Sequence, residues 1–202
     1  MKTKKIEKFP KKAEIILKGA AAEFLANGYA ATSMDRIAIV SKVSKATVYS
    51  YFGNKKGLFK LLIEKLAREN LATIYELINP QFFQDEPTTA INTIAIKLLN
   101  NVGDDYNFQN LMRIIVAESG RFPELATSYV NNFAKPAIDV LVHYFKSHPQ
   151  LNLQDEEATA TVFIGTLVYH VILQKLLYGS EIIPLEPDHI VNNLTDLIVF
   201  SQ

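Results

Sequence analysis

The stretch that decides the reading runs from Thr32 to Phe59, TSMDRIAIVSKVSKATVYSYFGNKKGLF. It holds two short helical segments. The first spans about Ser33 to Val40, with Thr32 as its N-cap and Asp35 in the first turn, where a carboxylate meets free N–H groups. A break follows at Ser41-Lys42-Val43. Ser44 then caps a second segment running to about Phe52; Gly53-Asn54 ends it, and Asn54 caps the helix beyond. Two short helices joined by a tight turn and flanked by longer ones form the helix-turn-helix pattern, whose second helix is narrow enough to enter the major groove. Ile37, Ala38, Val43, Val48 and Phe52 supply its small core. Ser44, Lys45, Ala46, Thr47, Tyr49 and Tyr51 remain at or near the outer face. Small and hydroxyl side chains at a helix start permit close approach to base edges, and lysine and tyrosine donate to phosphates.

Upstream, Ala13, Ile16, Leu17, Ala20, Ala21, Phe24 and Leu25 repeat at helical spacing, and Asn27-Gly28 stops that helix. Residues 1–10 form a basic arm, whose Lys2, Lys4, Lys5 and Lys8 suit either DNA contact or a solubilising tail. Downstream, Leu58, Leu62, Ile63, Leu66, Thr73, Ile74 and Leu77 line one side of a long fourth helix, and Pro80 to Pro87 connects it onward. Further helices are predicted near 88–102, 107–119, 123–147, 155–178 and 187–200, punctuated by prolines, with Pro136 kinking or breaking the third of them. Alternation typical of strands is scarce. The fold class is therefore all-α, about nine helices: the arm at 1–10, a three-helix helix-turn-helix domain at 11–56, and a larger helical domain at 57–202.

The chain has 202 residues and a formal net charge of zero, which conceals an asymmetry. Residues 1–68 carry fifteen Lys and Arg against five Asp and Glu; residues 69–202 carry six against sixteen. A basic first segment suits a polyanionic partner and equally a solvated surface. There is no cysteine, which excludes disulfides, thiol nucleophiles and cysteine-based metal sites. The apolar run Val162 to Tyr178 is interrupted by Gly165, Thr166, His170, Gln174 and Lys175, too polar for a membrane span, so a cytoplasmic protein is expected. No P-loop, dinucleotide glycine pattern, nucleophile elbow or zinc motif is present. Glu118 and Asp155-Glu156-Glu157 lack an evident partner base, and His143, His148, His170 and His189 lack metal-ligand spacing. Neither catalysis nor a cofactor is expected.

Residues 11–60 resemble the DNA-binding domain of the TetR family. Ala31 to Ala38 resembles its second helix, Val43 to Phe52 its recognition helix, and Asn54 to Phe59 the entry to its fourth helix. Two positions depart from the pattern: Lys42 and Ala46 stand where the family often has glycine. Lysine at a turn that needs positive φ carries a conformational cost, and it also offers a phosphate contact. The resemblance implies an all-α homodimer on an operator of approximate twofold symmetry, with an inducer pocket in the C-terminal part. It places Thr47, Lys45 and Ala46 on bases, and Ser33, Ser44, Tyr49, Tyr51 and Lys55 on phosphates. For Tyr49 and Tyr51 half-buried packing is the alternative.

Gly120 to Leu125 resembles a junction found in one class of the family's C-terminal domains. Phe108, Met112, Ile115, Tyr129, Phe133, Phe163 and Tyr169, with His170 as a polar handle, suit a pocket for a lipophilic or aromatic effector; each also suits plain core packing. The 155–178 helix is apolar on more than one face and so must be buried on several sides. The resemblance implies that this helix and the last pair with their counterparts in a four-helix dimer interface, with Leu167, Val171, Leu176, Ile190, Leu194, Leu197 and Ile198 there; the alternative is that both are core helices of a monomer. The expected function is a repressor released from its operator by a small molecule. The rival is a TetR-like protein without operator binding that acts through protein partners.

Overall fold

Apolar residues recur at helical spacing along most of the chain, and helices form at those places. The computed structural model describes residues 10–76 and 86–200. Ten α-helices are present among the described residues, and no strand: α1 Lys11–Ala31, α2 Met34–Val40, α3 Lys45–Phe52, α4 Lys55–Glu76, α5 Pro87–Gly103, α6 Tyr106–Glu118, α7 Pro123–Tyr129, α8 Lys135–Lys146, α9 Glu156–Val171 and α10 Pro187–Val199. The arm lysines, Leu77 and the connection up to residue 85 lie outside the described residues, as do the side chains of Thr73 and Ile74.

The helix expected over 123–147 is two helices. Proline has no N–H to donate, so at Pro136 the carbonyl four residues back loses its helical partner, and the backbone widens into a π turn at Val130–Ala134 before α8. The helix expected to reach residue 178 leaves α-geometry at Ile172, where a second π segment, Ile172–Leu176, begins. Leu177 N–H then reaches back five residues to the Ile172 carbonyl, and Tyr178 turns left-handed at φ 56°.

The chain divides into two units, Met1–Arg68 with Asn110–Asn132, and Glu69–Gln109 with Phe133–Gln202. In the first, Ile16, Leu17, Ala20 and Phe24 of α1 are fully buried with Ile37, Val48, Leu58 and Ile63. Burying each of the larger side chains contributes about 1.5–3 kcal/mol. Phe24, Tyr29, Phe59 and Phe122 form one aromatic cluster, with the Tyr29 ring 5.4, 5.3 and 5.0 Å from the other three. In the second unit, α5 packs against α10 and α9, and α9 against α8. Ile91, Ile94, Leu141, Phe145, Phe163 and Val191 fill its core. Thr195 of α10 donates to Asn92 of α5 at 2.5 Å, and Lys175 pairs with Asp104 at 3.2 Å.

Candidate nucleic-acid interface

The bracing of α2 begins with a carboxylate in the apolar stripe of α1. Glu23 is buried, and its Oε2 takes hydrogen bonds from Arg36 Nε at 3.3 Å and Asn27 Nδ2 at 3.0 Å. Buried charges need partners, so this ion pair ties α1 to α2. The N-cap of α2 is Ser33, whose Oγ accepts the Arg36 N–H at 3.1 Å. This corrects the expectation for Thr32. That residue is buried, and its hydroxyl donates to the carbonyls of Gly28 and Glu23 at the end of α1.

The turn between α2 and α3 is a Schellman motif. Val43 N–H reaches Ala38 O, and Lys42 N–H reaches Ile39 O, both at 3.1 Å. The motif needs a left-handed residue just after the helix, and Lys42 supplies it at φ 54°. The same turn presses on α1: a Cβ at Gly19 would collide with Ser41 Oγ, which is buried and makes no hydrogen bond. Glycine at position 19 is what allows helix and turn to approach.

Helix α3 starts at a side-chain cap. Ser44 Oγ accepts the Thr47 N–H at 3.1 Å and lies 2.8 Å from Thr47 Oγ1. Val48 and Phe52 turn inward, whereas Lys45, Ala46, Tyr49 and Tyr51 are exposed and Thr47 is half-buried. Tyr49 and Tyr51 keep 41% and 40% of their surface open, an exposure that suits both phosphate contact and half-buried packing. Lys45 is not a lone cation: its Nζ lies 2.7 Å from one Asp35 carboxylate oxygen and 2.8 Å from the other. Gly53 ends α3 at φ 69°, and Asn54 Oδ1 accepts the Gly57 N–H at 2.9 Å, capping α4 as expected.

Lys55 departs from its expected role. Its ammonium donates to the carbonyls of Tyr29 at 2.7 Å, Thr32 at 2.9 Å and Ala30 at 3.2 Å. All three donors are therefore engaged within the chain, and burial pulls its pKa below the ordinary lysine value against the opposing pull of Glu118. Phosphate contact is withdrawn for this residue. Glu118 completes the junction by accepting the Ala30 N–H at 3.2 Å. Sequence reading passed over Glu23, and it named Asp35 and Glu118 without the partners they have here. Only Glu23 left a signal, as a charge seven residues after Ile16 in an otherwise apolar stripe.

The expected effector residues fall in both units. In the first, Met112 and Ile115 are buried, and burial pushes the Tyr129 phenol up to about 12. In the second, the Phe108 and Phe133 rings lie 4.7 Å apart, Phe163 is fully buried, and burial, with Lys175 nearby, lowers the pKa of buried His170. Tyr169 is 63% exposed, which removes it from any interior lining.

The expected interface also needs correction. Leu167, Val171, Leu194 and Ile198 are buried within the single chain, on the faces with which α9 and α10 meet their neighbours. Leu176 and Ile190 are half-buried. The apolar side chains left open are Val162 and Tyr169 on α9, and Leu197 and Phe200 at the end of α10. The run Glu156–Leu176 is long and apolar enough to cross a membrane by length and composition, with only 28% of its apolar window buried. Thr166, His170, Gln174 and Lys175 interrupt its apolar character.

The profile of bacterial regulatory proteins of the tetR family matches residues 16–62, and that of the AefR-like transcriptional repressor C-terminal domain matches residues 91–199. The chain belongs to the TetR family. It is thus a TetR-family transcriptional regulator with an all-α fold and an N-terminal helix-turn-helix. Bacillus subtilis YvkB, an HTH-type transcriptional regulator, is 24% identical over 91% of this chain and 93% of its own length. The fold is shared with B. subtilis FadR in complex with stearoyl-CoA, at TM-score 0.71, 17% identity and coverage of 94% and 98% of the two chains. It is shared too with the flavonoid-responsive regulator FrrA, at TM-score 0.69, 26% identity and 92% of each chain.

Proposed function

We propose that this TetR-family regulator is a cytoplasmic homodimeric repressor that grips an operator of approximate twofold symmetry through α3 and releases it when a small lipophilic or aromatic effector binds. The observation that carries DNA reading is the start of α3. There Ser44 satisfies the helix end, so that Lys45, Ala46 and Thr47 offer short or flexible side chains to base edges. Ser33, Lys42, Ser44, Tyr49 and Tyr51 supply the phosphate contacts. A reading helix of eight residues carries little specificity alone, which favours two copies joined through the open apolar positions of α9 and α10.

The relatives that bind stearoyl-CoA or respond to flavonoids support an effector of that character. The Phe108–Phe133 pair is our candidate for part of its lining. Effector and operator then oppose one another, each weakening the other's binding by the same factor.

The test is binding of the purified protein to the DNA flanking its own gene, in salt from about 50 to 200 mM. Sequence-dependent binding that falls steeply with salt is expected. Absence of binding at low salt would overturn the reading.

A further inference from the structure

Lys45 heads the recognition helix, yet its charge is already matched. Asp35 lies in the first turn of α2, just after the Ser33 cap, and its two oxygens hold the Lys45 ammonium at 2.7 and 2.8 Å. The pair bridges α2 to α3, with 59% of the Lys45 side chain and 56% of the Asp35 side chain exposed. The hydrogen bond to Asp35 raises the Lys45 pKa, so the ammonium stays charged. Tyr49 flanks it, with the ring centroid 5.8 Å from Nζ. An ammonium has three donors; with two directed at Asp35, one is left.

We propose that Asp35 is a specificity-determining residue, which withdraws Lys45 from phosphates and reserves its remaining donor for an acceptor on a base edge. The inference rests on the reading of α3 as the recognition helix. Non-specific binding is almost wholly electrostatic, and each phosphate neutralised adds about 0.9 to the slope of log K against log salt. A lysine cancelled by a carboxylate adds nothing to that slope. A base acceptor such as guanine O6 or N7 asks for one directed N–H, which the paired ammonium still has. Asp35 therefore weakens binding to wrong sequences more than binding to the right one. Arg36, next in the chain, is held back in the same sense by Glu23, but that pair is half internal, with only 10% of the Glu23 side chain open. Asp35 is the carboxylate that stands on the DNA side.

The experiment uses the full chain with two duplexes of equal length and composition: the fragment flanking its own gene and a scrambled version. Asp35→Asn is expected to bind the scrambled duplex about tenfold tighter at about 50 mM salt, with a slope steeper by about 0.9, which is the gain from one phosphate contact. Binding to the native fragment should change less than about twofold, so the preference shrinks. Adding Lys45→Gln should return the slope to the wild-type value, and Asp35→Glu should keep the wild-type preference. Thermal unfolding confirms that each variant is folded. An unchanged slope on the scrambled duplex in Asp35→Asn overturns the inference alone. Equal wild-type affinity for both duplexes counts against that fragment as the operator, while the slope comparison still decides the role of Asp35. A wild-type chain that binds neither duplex overturns both readings.

Discussion

Lys55 Nζ sits 2.7 Å from the carbonyl oxygen of Tyr29 and 4.5 Å from the centre of its ring. The arrangement has its origin in Gly28, which leaves helical geometry at φ 73° and ψ 168° and so strands the last carbonyls of α1. A lysine at the start of α4 collects two of them, at Tyr29 and Ala30, with the carbonyl of Thr32 just beyond, as basic side chains often do at helix ends. Lys55→Met keeps the aliphatic stem and removes the ammonium. It should cost about 1–2 kcal/mol, discounted for partial exposure, and lower the melting temperature by a few degrees. The salt slope of DNA binding should not move. A slope shallower by about 0.9 would restore the phosphate contact withdrawn above.

Lys42 occupies a left-handed position that favours glycine, at a cost of roughly 1–2 kcal/mol for a side chain with a Cβ. Lys42→Gly should therefore raise stability by up to about 1 kcal/mol, part of the gain being lost to the more flexible unfolded chain. DNA affinity should fall meanwhile, because the cation is gone. Lys42→Asn separates the two effects: it tolerates the left-handed conformation and lacks the charge. Denaturant unfolding and a DNA titration on the three proteins measure both. A destabilised Lys42→Gly would mean that the lysine side chain makes a stabilising contact that outweighs its backbone strain.

Gly19 and Ser41 should behave as a coupled pair. Gly19→Ala drives a methyl group into the Ser41 hydroxyl and should destabilise by about 1–3 kcal/mol. Ser41→Ala removes a buried hydroxyl without a partner and should be neutral or slightly stabilising. Ser41→Gly, which clears the space, should rescue much of the Gly19→Ala loss, giving a coupling energy of about 1 kcal/mol or more in a double-mutant cycle. Simple additivity would show that α1 and the turn yield independently.

The turns and caps around α3 were legible from sequence because each is local: Ser44, Gly53 and Asn54 act on residues two to four positions away. The strain at Lys42 was legible for the same reason. Lys55 was misread because its partners lie 23 to 26 residues upstream, and its position at a helix start suggested an anion. Asp35 was read as a helix-dipole charge, which it also is, but its hold on Lys45 depends on the angle between α2 and α3. The apolar faces of α9 called for burial on several sides, yet Val162 and Tyr169 stay open. Periodicity alone did not say which face the chain itself covers, and that face holds Leu167 and Val171, both buried.

That leftover face gives the last prediction. Val162 and Tyr169 stand seven residues apart on α9, two turns of one stripe, and are 61% and 63% exposed; Leu197 on α10 is 61% exposed. Charge placed there costs the isolated chain little, whereas charge buried between two copies is expensive. Tyr169→Asp, alone or with Leu197→Asp, should give a folded monomer by sedimentation velocity, with a melting temperature that no longer depends on protein concentration. Operator affinity should fall by about 10²–10⁴-fold, because two linked reading helices become two separate ones. Leu167→Asp, at a buried position, should instead unfold the chain. A Tyr169→Asp protein that remains a dimer would place the interface on another surface, and one that is monomeric yet binds the operator undiminished would sever dimerisation from DNA reading.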